Sequence, residues 1–179
     1  GIKMLAQSSI FVHEHSVISD AAYAIDVKDM SNTINLDLNG GVFLNNYIGV
    51  RLIGTANFTA FTQNLFTSSG TLMPDCGGQV TGTYSTVLGY AGMSMNHVGN
   101  TLNLPNDNNQ NTFSRLAIGI ISQNGTFSLD HTATFEFLNN CAVYQAEHGG
   151  TGVYFQNDAA FTAIGNDFKT DIHGIWGET

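Results

Sequence analysis

His13-Glu14-His15 is the first place in the chain where residue types and spacing could do chemistry. Alternation along a strand would put both imidazoles on one face, a spacing that holds a transition metal once a third ligand arrives from elsewhere. Asn106, Asp107 and Asn108 gather oxygen ligands in a polar excursion, so they are candidate binding residues and Ca²⁺ is the candidate cation. The spaced Asp and Gly of a calcium loop are missing from that stretch, and no other cofactor is expected. Asp75 lies between Pro74 and Cys76 in a Gly-, Ser- and Thr-rich stretch and is a further candidate binding position. Lys3, Lys28, Arg51, Arg115 and Lys169 are the cations that could neutralise or deprotonate an acidic sugar. Ser128-Leu129-Asp130-His131 adds one acid–base pair at a strand end.

The chain that must position these groups is poor in charge. Of its 179 residues, 11% are charged against a usual share of about 25%. Asn, Thr, Ser and Gly take the place of the missing charges, which points to turns and polar strand faces. The net charge of -9, with five Lys plus Arg, leaves no basic face for nucleic acid or an anionic membrane surface. No apolar run is long enough to insert in a bilayer as a helix. Cys76 and Cys141 are too few for a disulfide framework or a zinc site, and Cys141 is expected as a buried free thiol.

Between Leu116 and Trp176 a unit of about 25 residues recurs, each carrying three short β-type segments divided by Gly and Asn turns. Its openings align at Tyr23-Ala24-Ile25, Ile48-Gly49-Val50, Ala91-Gly92-Met93, Ile118-Gly119-Ile120, Ala142-Val143-Tyr144 and His173-Gly174-Ile175. Marked from Ala22, Ile48, Ala91, Ala117, Ala142 and Ile172, the steps are roughly 26, 43, 26, 25 and 30 residues. The long step predicts an inserted loop over about 67–90. Phe recurs in the third segment (Phe43, Phe66, Phe113, Phe135), where stacked rings would fill the lumen. Asn recurs at the corners, where it tolerates left-handed backbone and its amides can bond along the axis. The fold class that follows is all-β: a parallel β-helix, or solenoid, of about six coils with one inserted loop, in a single domain over 1–179.

The form "Phe, Asn-rich corner, then Gly with an aliphatic residue" appears in Phe43-Leu44-Asn45-Asn46-Tyr47-Ile48-Gly49-Val50. Asn111-Thr112-Phe113-Ser114-Arg115-Leu116-Ala117-Ile118-Gly119-Ile120 shows it again, and Phe137-Leu138-Asn139-Asn140-Cys141-Ala142-Val143-Tyr144 in part. This grammar resembles the right-handed parallel β-helix repeats of large secreted or surface proteins of Bacteroidetes-type bacteria, a pectate-lyase-like superfold. The resemblance implies a right-handed coil and an extracellular or cell-surface setting. Members of that group include polysaccharide lyases, glycosidases and adhesins, so it does not select an activity. Ser128-Leu129-Asp130-His131 is similar to an Asp-His segment of pectate lyases. The adjacent aspartates and the Gly-His-Gly and Arg-Ile-Lys segments of polygalacturonases are missing from this sequence.

The sequence thus predicts a non-catalytic structural or adhesin-like surface module that is a piece of a longer secreted protein or assembles end to end. Its partners would be copies of itself or adjoining coils, and glycans. The alternative is a carbohydrate-active enzyme, lyase-like, acting on acidic glycans. Convergence of Arg or Lys with Asp or Glu in one groove would favour that alternative.

Overall fold

The computed structural model describes residues 1–4, 9–68, 89–98, 100–106, 108, 110–136, 150–169 and 173–178, with 29–33 as backbone alone. Every regular element among them is a β-strand, and every strand pairing is parallel. The largest sheet runs β1 (Ile2–Met4), β4 (Tyr23–Asn39), β6 (Ile48–Thr62), β8 (Ala91–Asn96), β11 (Ile118–Gln123), β14 (Thr151–Gln156) and β17 (His173–Glu178). β2 (Ser9–Val12) pairs with the far half of β4. A second sheet runs β16 (Asp167–Lys169), β13 (Ala133–Glu136), β10 (Asn111–Ser114), β7 (Leu65–Thr67), β5 (Val42–Leu44) and β3 (Val17–Ser19). A third holds β15 (Ala160–Ile164), β12 (Thr126–Asp130) and β9 (Thr101–Leu104).

Each sheet visits successive turns of the chain in sequence order, so the architecture is solenoid-like. The cause is the alternation of the sequence. Inward positions are mostly apolar, so a strand buries that side only by turning round a shared interior. Ile25, Val50, Met93, Ile120 and Val153 form one column of that interior, paired residue on residue and fully buried. Leu102 and Phe127 continue it on the third sheet.

The phenylalanine column falls where the sequence predicts it. Phe43 stacks on Phe66 at 4.5 Å, Phe66 on Phe113 at 4.7 Å, Phe113 on Phe135 at 5.1 Å and Phe135 on Phe168 at 4.9 Å. Glycine faces four of these rings across the lumen, and the matching position in the turn of Phe43 is the buried Ala24. A Cβ on Gly119 would stand 2.6 Å from the Phe135 ring and 2.5 Å from the Gly152 carbonyl oxygen. Gly49, Gly92 and Gly152 stand in the same relation to Phe66, Phe113 and Phe168.

The asparagines divide between two tasks. Asn45, Asn124 and Asn157 hold positive φ at corners, the left-handed conformation Asn accepts at low cost. Asn64, Asn111 and Asn166 turn inward before the third segment and bond between turns. Asn64 Nδ2 donates to Asn111 Oδ1 at 2.9 Å, and Asn111 Nδ2 donates to the Phe61 and Thr132 carbonyls at 2.8 and 3.0 Å. Asn166 Oδ1 accepts from the Thr132 amide at 2.9 Å. These amides satisfy carbonyls and N–H groups that the corners take out of the sheets.

One expected opening is corrected. The strand that follows β11 in its sheet is Thr151–Gln156, not Ala142-Val143-Tyr144. Residues 142–144, Cys76 and Cys141 lie outside the described residues. So do positions 69–88 of the expected insertion, while Thr67 ends β7 and Tyr90 stacks on Tyr47 at 5.0 Å.

Gly119→Ala is expected to destabilise the fold by about 1–3 kcal/mol, because the new methyl overlaps a packed ring and a backbone oxygen. Phe113→Ala, which removes a ring stacked on both faces, should cost about 3–5 kcal/mol. Urea denaturation measures both, and an unchanged midpoint for either would contradict this packing.

Candidate functional site

Tyr23 to Asp26 opens β4, and the same outward positions on its neighbours carry Lys3 and Arg51. The register is Lys3 beside Asp26 beside Arg51 beside Ser94. Arg51 Nε and Nη2 donate to the two oxygens of Asp26 at 2.7 Å each. The guanidinium also lies over the Tyr23 ring, 3.7 Å from its centre. Planarity suits Arg to both contacts, since the fork matches a carboxylate and the flat face stacks on an aromatic ring. Asp26 is almost buried and Arg51 half-buried. Beside the pair an open cavity of about 430 Å³ is lined by Gly1 to Lys3, Ser19 to Tyr23 and Asp26. It brings an amine, a phenol and a carboxylate to one place, with the cation of Arg51 already neutralised by Asp26.

A second cluster was not foreseen from the sequence. Ser122 stands in an interior column between Met95 and Phe155. Its Oγ donates to Asp158 Oδ2 at 2.6 Å and stands 2.9 Å from His97 Nε2. His97 Nδ1 faces the Asn100 carbonyl at 3.1 Å, and a carbonyl only accepts, so this nitrogen carries a hydrogen. Asp158 Oδ1 accepts the Gly125 amide at 2.9 Å. A Cβ at Gly125 would run into the imidazole, which explains glycine at that corner.

Ser, His and Asp together suggest nucleophilic catalysis, but the order is wrong for it. A hydrolytic triad places the imidazole between hydroxyl and carboxylate so that it can take the hydroxyl proton. Here the hydroxyl stands in the middle and gives its hydrogen to Asp158. The side chains of His97 and Asp158 have no exposed surface, so no substrate reaches them. The trio fastens three successive turns at one corner. Its sequence signal is a serine at an inward strand position, and its partners lie a turn away on either side.

The residues singled out by sequence fare differently. His13 and His15 do not share a strand face. The strand ends at Val12, and His15 has φ +68 in the turn that follows. His13 reaches Asp37 at 3.6 Å and is mostly exposed. Among the described residues no group of three or more His, Cys, Asp or Glu stands together as metal ligands. Asn106 and Asn108 close on each other instead of opening to a cation, the Asn108 amide donating to Asn106 Oδ1 at 3.1 Å. Asp75 and Asp107 lie outside the described residues. Asp130 and His131 pair at 2.5 Å at an exposed corner, while Arg115 Nε donates to the Ser68 carbonyl at 2.7 Å. No protein-family model, no curated protein and no solved structure matches the chain.

Ser122→Ala should destabilise the protein by about 1–3 kcal/mol, since it strands a buried imidazole nitrogen and a buried carboxylate oxygen at once. Thermal unfolding reads this directly. A neutral outcome would mean that water replaces the hydroxyl at this corner.

Proposed function

We propose that the chain is a right-handed parallel β-helix of about six coils serving as a non-catalytic extracellular structural or adhesin-like surface module. The observation that supports it most is the state of its two end strands. The interior column is fully buried from Ile25 to Val153, yet Ile2 at one end is 41% exposed and Ile175 at the other 44%. β1 and β17 are also the two outermost strands of the largest sheet among the described residues, and an outermost strand is where further strands can add. Further rungs in the same register would cover both, whether they come from a second copy or from adjoining coils. A head-to-tail contact of that kind does not close and propagates as a filament.

A lyase-like enzyme acting on acidic glycans is the second reading, and the cavity beside Lys3, Tyr23 and Asp26 favours it. Tyr23 or Lys3 would act as the base on a uronate. The bidentate Asp26–Arg51 pair counts against it, because the guanidinium that should neutralise the substrate carboxylate is committed to a protein one.

Light scattering with electron microscopy on the purified protein is expected to show regular end-to-end particles, and a dispersed single chain would remove self-stacking. Polygalacturonate and alginate, with and without Ca²⁺, are expected to give no unsaturated uronate absorbance. Product that vanishes in Tyr23→Phe or Lys3→Ala would overturn the non-catalytic reading.

A further inference from the structure

The outward side of β2, the far halves of β4 and β6, and β9, β12 and β15 form a lane of mostly short, uncharged side chains, Phe11, Asp37, Asp130 and Ile164 excepted. Ser9, Asn35 and Asn57 share one register row. Thr101 and Thr126 share another, and Asn103, Ser128 and Thr162 a third. In a chain with 14 acidic residues, only Asp37 and Asp130 bring charge to these strands' outward positions.

At one end of the lane stands Phe11, 67% exposed, the most exposed of the large apolar side chains described. Its ring meets His13 edge to face at 6.2 Å, and His13 Nε2 lies 3.6 Å from Asp37, the register partner of Phe11. In the adjoining row the Asn57 amide donates to Asn35 Oδ1 at 3.2 Å. An aromatic plate is therefore held beside a half-buried carboxylate, an exposed imidazole and two linked, exposed amides.

We propose that this lane binds a neutral polysaccharide chain lying along the axis, with Phe11 stacked on the C–H face of one sugar ring. A pyranose presents an apolar face ringed by hydroxyls that both donate and accept. Its complement is an aromatic plate among Thr, Ser and Asn, which also do both. Other polymers fit worse. Phosphate-bearing chains need cations that the lane lacks. A protein partner needs an apolar core larger than one ring. The rungs repeat every ~4.8 Å, close to the length of one sugar in an extended chain, so successive turns can meet successive sugars and weak contacts add along the polymer.

The inference rests on the surface-module reading and names its ligand. Affinity electrophoresis in gels containing glucomannan, hydroxyethylcellulose or xylan tests it, with polygalacturonate as the acidic control. The native chain should be retarded by at least one neutral polymer and not by polygalacturonate. Phe11→Ala should weaken that retardation at least about tenfold, and the pair Asn103→Ala with Thr162→Ala should weaken it further along the lane. Both variants alter exposed side chains, and unchanged unfolding midpoints certify their fold. Migration unaffected by all three neutral polymers, or retardation that survives Phe11→Ala, overturns the proposal. Failure here with end-to-end particles intact removes the ligand alone, whereas dispersed chains that still bind glycan remove the assembly alone.

Discussion

The stacking of one phenylalanine per turn against a wall that is glycine in four of the five turns sets the cross-section of the coil. A ring has a thickness, and parallel strands have a spacing near 4.8 Å, so rings at 4.5 to 5.1 Å touch face to face with no slack between turns. The opposite wall must then come close enough to leave no void, and from Gly49 to Gly152 only a residue without Cβ allows it. Once that contact is made, the register of the first and second sheets is fixed. Everything that points outward follows from it, because a slip of one residue would turn each strand inside out.

Much of this was legible because the repeat writes the same instruction several times. Phe43, Phe66, Phe113 and Phe135 announced their column by recurrence and by the Asn beside them. The missed opening shows what the pattern means physically. Ala142-Val143-Tyr144 and Thr151-Gly152-Val153-Tyr154 offer similar alternation, but only the second has the glycine that Phe168 requires. Apolar periodicity alone could not separate them. The close approach of ring and backbone could, and the glycine in Ile48-Gly49-Val50, Ala91-Gly92-Met93 and Ile118-Gly119-Ile120 was its trace.

Chemistry was less legible than fold. His13-Glu14-His15 looked like strand spacing, yet the chain turns there and His15 takes a left-handed conformation, so alternation no longer decides where its ring points. His97, Ser122 and Asp158 meet only because three turns are superposed, and no local spacing reveals that. Arg51 read as a free cation for an acidic sugar. One turn earlier, at the register-matched position, stands the carboxylate that occupies it.

Successive partners in the interior column lie at unequal separations along the chain: Ile25 pairs with Val50, but Val50 pairs with Met93. The section is the same at each level while the perimeter is not. Length added at a corner is felt only as loop-closure entropy, which grows with the logarithm of the loop. The coil therefore works as a frame with ports. Length added at a corner need not disturb the interior, so what a corner displays can change while what holds it up does not.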